Sequence, residues 1–177
     1  MLRTACRIEH QKGQHLLFDA MALLKKRGLK TNATVFGNVM DEEYKTKLTN
    51  QIKEFNLENH IHFYGFHSDP TSVMPCFDVI VMPSKNETFG LVLVEAMLAN
   101  VPVIATNAGG VPEIIDHEKT GLLFKWGDCE DLANQLEKLI SDEKLRKQLA
   151  KNGKTNAQQL FDYNTHFKRL ETLFKTV

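Results

Sequence analysis

Short apolar runs alternate with longer amphipathic segments along the sequence, and this alternation constrains the fold more than any other feature. The apolar runs predict strands at Leu2–Ile8, Thr34–Phe36, Ile61–Tyr64, Asp78–Met82, Val101–Ala105 and Leu122–Phe124. The amphipathic segments predict helices at Gly13–Arg27, after the capping residue Asp41, and at Leu91–Ala99, Glu130–Ile140, Glu143–Leu160 and Thr165–Lys175. Because strands separated by helices pair in parallel, we predict an α/β fold, a Rossmann-like, doubly wound, six-stranded, mostly parallel sheet with helices on both faces.

Length and charge narrow the class of protein further. The chain has 177 residues, which is typical of a single domain. It carries 22 Lys and Arg against 22 Asp and Glu, so its net charge is zero. A neutral chain lacks the overall positive field that attracts nucleic acids or anionic membranes. We therefore expect no nucleic-acid partner.

The cysteines and the apolar content bear on the compartment. The three cysteines, Cys6, Cys76 and Cys129, lie far apart without a C-x-x-C pair, so neither disulfides nor a zinc site is expected. No apolar run approaches the roughly 18 residues that cross a bilayer, and no stretch resembles a signal peptide. His60 and His62 share a strand face, but nothing completes a metal site. We expect a cytoplasmic protein without a bound metal.

The predicted sheet locates the ligand site before any family is considered. Doubly wound sheets commonly have the strand order 3-2-1-4-5-6, and their ligands bind where the order reverses, between strands 1 and 4. The loops at that crevice are Glu9–Gly13 and Pro83–Gly90. Candidate functional residues are therefore expected in these two segments.

The first loop carries two cations close to the start of a helix. Arg7 ends the predicted strand, and Lys12 begins the following helix. Together with the unpaired N–H groups of a helix N-terminus, they can form an anion site. The alternative is that both are solvated surface charges, and the residues alone leave it open. The absence of a G-x-G-x-x-G pattern makes a dinucleotide cofactor less expected.

The second loop and its helix carry two carboxylates. We expect Glu95 to be buried among its apolar sequence neighbours, and a buried carboxylate needs a hydrogen-bonding partner. Because helix side chains lean towards the N-terminus, its carboxylate could reach the crevice and accept hydrogen bonds from hydroxyl groups. Glu87 lies in the loop itself, and Gly90 allows a ligand to approach the backbone. The alternatives are that Glu95 pairs with a core cation and that Glu87 is a surface residue.

Four short patterns occur in order along the chain. Glu87 and Glu95 form an E-x7-E pattern within PSKNETFGLVLVEAMLANVPVIATNAGGVPEII, and Arg7 and Lys12 form an R-x4-K pattern. The other patterns are Gly109-Gly110-x-Pro112-Glu113 and Gly121-Leu-Leu-Phe124. Together they resemble the signature of GT-B glycosyltransferases, in particular the large retaining group called family 4, over about residues 3 to 174.

This resemblance implies half of a two-domain enzyme. Residues 1–177 would form a single donor-binding Rossmann-like domain, and the N-terminal acceptor domain would be absent. The substrate would be a nucleotide sugar such as a UDP- or GDP-hexose, whose hexosyl unit passes with retention to a glycan, lipid or small metabolite. No cofactor or metal would be needed, and the chain alone would be inactive. The resemblance leaves open whether the full-length enzyme lies at the cytoplasmic face of a membrane.

The resemblance also assigns roles to residues. Arg7 and Lys12 would hold the donor diphosphate and stabilise the leaving group, and with Glu87 they form the expected catalytic set. Glu87 would contact the sugar hydroxyls, and Glu95 would bind the ribose hydroxyls. The expected donor-binding residues are Arg7, Lys12, Phe66, His67, Glu87, Phe89, Gly90, Leu91 and Glu95. Of these, Phe66 and His67 would line the base pocket.

The sequence departs from the family's usual pattern at two positions. Cys6 stands where the family usually has Gly, and Asn100 replaces a Gly after the helix, at a left-handed position that Asn also tolerates.

Two alternative functions stay open. The first is a non-enzymatic Rossmann-like module that binds a nucleotide or a protein. The second is another GT-B enzyme, such as a nucleotide-sugar epimerase or a phosphorylase. At the end of the chain, apolar residues at helical spacing predict core positions: Phe161, Phe167, Leu170 and Phe174.

Overall fold

One parallel sheet organises the chain; the structure, a computed structural model, describes residues 2–5, 7–162, 167 and 171–175. Its strands are β1 (Leu2–Ala5), β2 (Ala33–Phe36), β3 (Ile61–Gly65), β4 (Val79–Met82), β5 (Val103–Thr106) and β6 (Leu122–Phe124). They pair in the order β3-β2-β1-β4-β5-β6, and every pairing is parallel. The predicted strand order is confirmed, and the reversal lies between β1 and β4.

Seven α-helices are bounded in the described part of the chain; the first five lie between strands, and the last two follow β6. They are α1 (Gln14–Lys26), α2 (Glu42–Glu54), α3 (Pro70–Val73), α4 (Leu91–Leu98), α5 (Val111–Ile114), α6 (Cys129–Ser141) and α7 (Glu143–Leu160). Asp41 caps α2 as predicted, its carboxylate accepting the Tyr44 N–H at 2.8 Å. α3 and α5 were not predicted, because a single turn is too short to show a helical period.

The two faces of the sheet carry separate apolar cores. In β4, Val79 and Val81 pack into the core that α1, α2 and α6 cover, whereas Ile80 and Met82 pack into the core beneath α4 and α5. Burying each of these side chains stabilises the fold by about 1.5–3 kcal/mol. Helices on both faces confirm the doubly wound architecture.

Two strands differ from their predicted bounds by more than one residue. β1 ends at Ala5; beyond it, Ile8 donates its N–H to the Asn38 carbonyl at 2.9 Å, outside the regular ladder. β5 begins at Val103 because the Val101 N–H still closes α4, donating to the Ala96 carbonyl at 2.9 Å. Asn100, at φ 61°, occupies the left-handed position expected of it.

The prediction of core positions at the end of the chain is wrong where the structure describes them. Phe161, Phe167 and Phe174 are exposed, the last by 79%. Leu170 and most of the predicted helix Thr165–Lys175 lie outside the described residues, of which 167 and 171–175 are helical. Helical spacing reveals which apolar residues share a face but not what covers that face. Among the described residues, no helix has both the length and the apolar content needed to span a bilayer.

Candidate functional site

The loops that follow β1 and β4 meet at the reversal of the strand order. The Lys85 N–H donates to the Gln11 carbonyl at 2.7 Å, which joins the two loops directly. The loop after β5 joins them, since the Gly110 N–H donates to the Glu87 carbonyl at 2.9 Å. Three backbone segments therefore position the side chains at the carboxyl edge of the sheet.

Two glycines allow this close approach. Gly13, at φ 68°, precedes α1, and a Cβ there would overlap the carbonyl oxygen of Pro83. Gly109, at φ 60°, leaves room for the carbonyl of Glu87 in the same way. Both have a left-handed backbone that glycine adopts without strain. The Glu87 backbone is consequently packed against its neighbours and has little freedom to shift.

Lys12 and Glu87 form an ion pair across the crevice. The Lys12 Nζ lies 2.9 Å from Glu87 Oε2, and the two side chains are only 16% and 22% exposed. A contact between residues so far apart in the sequence fixes the loops relative to each other. Partial exclusion of water also makes the pair stronger than one on the open surface.

Arg7, the second candidate cation, lies at the outer part of the crevice. Its side chain is 62% exposed, and its guanidinium lies 3.3 Å from the Glu9 carboxylate. Arg7 is thus nearer to the alternative of a solvated charge than Lys12 is. Both cations nevertheless face the same opening.

A cavity of about 370 Å³ lies at this opening. Its lining consists of Arg7, Lys12, Met82, Glu87, Thr88, Phe89, Gly90, Leu91 and Val92. Six of the nine expected donor-binding residues are therefore brought together. Gly90 is the N-cap of α4, so the first turn of that helix forms one wall, where helix amides favour an anion. The arrangement suits a small phosphorylated ligand.

Glu95 lies one turn into α4 and outside the cavity lining. It is half-buried, so the prediction that its apolar sequence neighbours bury it is wrong. Leu91, Glu95 and Leu98 are spaced four and three apart and share the outer face of α4, whereas the neighbours that pack on the sheet occupy its other side. The same spacing places Glu95 beneath Leu91 at the cavity wall.

Phe66 and His67 lie after β3, away from the cavity lining. His67 belongs to an aromatic cluster with Phe36 and Tyr64; the ring centroids of Tyr64 and His67 are 5.8 Å apart. Phe66 is exposed. Phe36 and Tyr64 were not predicted as functional residues, although each directly precedes a glycine at a strand end, a signal that could have marked them.

A second group that was not predicted surrounds His15 in the first turn of α1. His15 has its Nδ1 2.9 Å from the Tyr44 hydroxyl, which also accepts the His15 N–H at 3.1 Å. The His10 and His15 rings stack with centroids 5.0 Å apart, and Trp126 meets His15 edge-on. Burial, and then the His10 charge, lower the pKa of His15. A neutral His15 can accept a hydrogen bond from Tyr44.

No group of three or more His, Cys, Asp or Glu side chains within the described part of the chain is arranged to hold a metal ion. At the crevice Glu87 is paired with Lys12, and Glu9 is paired with Arg7 nearer the mouth. Each carboxylate therefore already contacts a cation, which suits neither a divalent metal nor an acid–base carboxylate pair. Electrostatic contact with an anionic ligand is the chemistry that this arrangement supports.

Comparison with known proteins assigns the chain to a protein family. The family described as glycosyl transferases group 1 matches residues 4–156. The capsular polysaccharide biosynthesis glycosyltransferase CapM of Staphylococcus aureus is 32% identical over 175 residues, covering 96% of this chain and 44% of CapM. The chain thus spans less than half the length of this curated relative.

Solved structures give the same result. Anabaena HepE in complex with UDP matches with a TM-score of 0.93 and 32% identity over 99% of this chain and 48% of HepE; its complex with UDP-glucose matches at 0.89. The C-terminal domain of a glycosyl transferase group 1 family protein from Francisella tularensis is 33% identical, with a TM-score of 0.79 over 89% of this chain and 84% of that domain.

Proposed function

Because the chain belongs to the glycosyl transferases group 1 family and has the fold of one half of a GT-B enzyme, we propose that it binds the nucleotide-sugar donor of a retaining hexosyltransferase. The observation that carries this proposal is the cavity at the strand reversal, where Lys12, Arg7 and Glu87 lie beside the first turn of α4. Family membership also favours this function over a non-enzymatic binding module.

The cations and the helix N-terminus suit the donor diphosphate. Lys12 and Arg7 face the cavity from the loop after β1, and Gly90 and Leu91 begin α4 on the opposite wall. A diphosphate between them would receive charge-assisted hydrogen bonds and amide hydrogen bonds. In the transfer, the same groups stabilise the negative charge that develops on the leaving diphosphate, without needing a metal.

The remaining residues are assigned to the ends of the donor. Glu87 accepts hydrogen bonds from the sugar hydroxyls, and Glu95 accepts them from the ribose. Phe89 lines the cavity beside Glu87 and packs its ring edge-on against Phe161, with the centroids 5.5 Å apart. Phe66 and His67 lie at the end of β3, where an aromatic surface suits a stacked base.

UDP-hexoses are the donors that we propose first. HepE, which matches nearly the whole chain, was crystallised with UDP and with UDP-glucose. The test is a thermal-shift screen of UDP- and GDP-linked hexoses, because a ligand that binds only the folded state raises the melting temperature. We expect UDP-glucose or a related UDP-hexose to raise it, and free hexoses to have no effect. A panel without any shift would contradict the proposal.

The acceptor belongs to a second domain in this account. The chain covers only about half of the enzymes it matches, so the surface that would bind a glycan, lipid or small metabolite lies outside it. We propose that this chain transfers little or no sugar alone. We also propose a cytoplasmic location, on the basis of its few and widely spaced cysteines.

A further inference from the structure

The Lys12–Glu87 ion pair couples the two ends of the proposed donor site. The cation assigned to the diphosphate already contacts the carboxylate assigned to the sugar, at 2.9 Å. A diphosphate that approaches Lys12 therefore competes with Glu87 for the same ammonium group. It also brings negative charge close to a half-buried carboxylate.

The backbone of Glu87 is held in place and cannot move away from an incoming diphosphate. The Gly110 N–H holds its carbonyl at 2.9 Å, and the close approach of Gly109 leaves no room for the loop to move in that direction. Only the side chain of Glu87 can respond. A carboxylate that is 22% exposed and has lost its cation needs other hydrogen-bond donors.

We propose that the Lys12–Glu87 pair makes the site favour the intact nucleotide sugar over the free nucleoside diphosphate. A hexosyl group on the β-phosphate supplies hydroxyl groups that replace the Lys12 ammonium as partners of Glu87. The free diphosphate pairs with Lys12 but supplies no hydrogen-bond donor to Glu87, and the diphosphate and the Glu87 carboxylate repel each other. This inference rests on the proposed function and adds a role to it, since loss of the sugar then weakens retention of the product.

Glu9 provides a matched control for this role. It pairs with Arg7 at 3.3 Å, so removing its charge also makes the mouth of the crevice less negative. In the described structure its carboxylate forms no ion pair with the Lys12 ammonium; the Lys12 N–H donates to the Glu9 backbone carbonyl at 2.9 Å, a contact that Glu9→Gln keeps. Glu9 is also not among the residues that line the cavity. Glu9→Gln thus reproduces the general charge effect of Glu87→Gln without its specific contact.

The experiment is calorimetric titration of the wild type, Glu87→Gln and Glu9→Gln with UDP and with UDP-glucose. We expect the wild type to bind UDP-glucose more tightly than UDP. Glu87→Gln should bind UDP about fivefold more tightly than the wild type, and its preference for UDP-glucose over UDP should fall about tenfold. Glu9→Gln should tighten both ligands equally and keep the wild-type preference.

The outcomes separate the two claims. An unchanged preference in Glu87→Gln, or weaker UDP binding by it, would overturn the inference while leaving the proposed function standing. A wild type that binds neither ligand would contradict the proposed function itself. Should Glu87→Gln fail to fold by circular dichroism, Glu87→Asp withdraws the carboxylate by one methylene group and should shift the preference in the same direction by a smaller factor.

Discussion

Gly13 and Pro83 meet backbone to backbone, so closely that a Cβ on Gly13 would overlap the Pro83 carbonyl oxygen. Gly13 is the residue before α1, and Pro83 is the residue after β4. Their contact sets the separation of the two loops that carry Lys12 and Glu87. The ion pair at the crevice therefore depends on the absence of a side chain at residue 13.

Gly13→Ala should consequently destabilise the fold. The left-handed backbone costs about 1 kcal/mol for a residue with a Cβ, and relieving the overlap with Pro83 costs a further 1–3 kcal/mol or so. Urea unfolding should show the free energy of unfolding lowered by about 3 kcal/mol. Gly28→Ala is the control, because Gly28 also has a positive φ, 82°, but a Cβ there meets nothing within 4 Å. Equal losses in the two variants would contradict the explanation.

The half-buried His15 should make stability depend on pH. Burial and the His10 charge lower its pKa in the folded state, so the unfolded chain takes up a proton first as the pH falls. Stability is therefore present above the ordinary histidine pKa, near 6.5, and is lost on acidification below it. Urea midpoints measured at pH 7.5 and pH 5.5 should show a smaller loss for His15→Gln than for the wild type.

The control for this prediction is His62→Gln. His62 lies on β3 with its side chain exposed, so its ring stays in contact with water when the chain folds. This variant should lose as much stability on acidification as the wild type. If His15→Gln lost as much as His62→Gln, the acid sensitivity would belong to other groups.

Of the two lysines in the first half of α2, Lys45 should be acylated more readily than Lys47. Burial lowers its pKa to about 8, whereas the Glu43 carboxylate raises the pKa of Lys47. At pH 8 the free-amine fraction of Lys45 should exceed that of an ordinary lysine by on the order of 100-fold. Limited acetylation followed by peptide mass spectrometry should therefore modify Lys45 before Lys47.

A contact with the Phe63 ring opposes the effect of burial on Lys45, and acetylation can show which of the two is stronger. Its Nζ lies 2.5 Å from the centroid of the Phe63 ring, a contact that favours the ammonium form. Acetylation of Lys47 before Lys45 would show that this contact outweighs the cost of burial.

The proposal that the acceptor site lies in a second domain predicts binding without turnover. The 177-residue chain, which covers 48% of HepE, should bind a UDP-hexose but release almost no hexose or glycoside from it. Enzyme-coupled detection of UDP over several hours measures this, with the folded chain checked by circular dichroism. Sustained multiple turnover of transfer by the 177-residue chain would contradict the two-domain account.

The strand order and the two loops could be predicted from the sequence because both follow from the alternation of strands and helices. The contact between Lys12 and Glu87 could not, because each residue was assigned a ligand and nothing in a sequence says that two ligand-binding groups also bind each other. That Glu95 is only half-buried was missed because the apolar neighbours that pack on the sheet lie on the other side of α4. The His15 environment comes from Tyr44 and Trp126, which are distant in the chain.

The most direct test of the central claim, that the crevice between β1 and β4 binds a nucleoside diphosphate, is calorimetric titration of UDP into the wild type, Lys12→Ala and Lys30→Ala. Lys30 lines cavities at the opposite edge of the sheet, so its removal controls for the loss of one positive charge. We predict UDP binding that Lys30→Ala retains and that Lys12→Ala weakens by about tenfold or more. Equal affinities in all three proteins, or no binding by the folded wild type, would contradict the account.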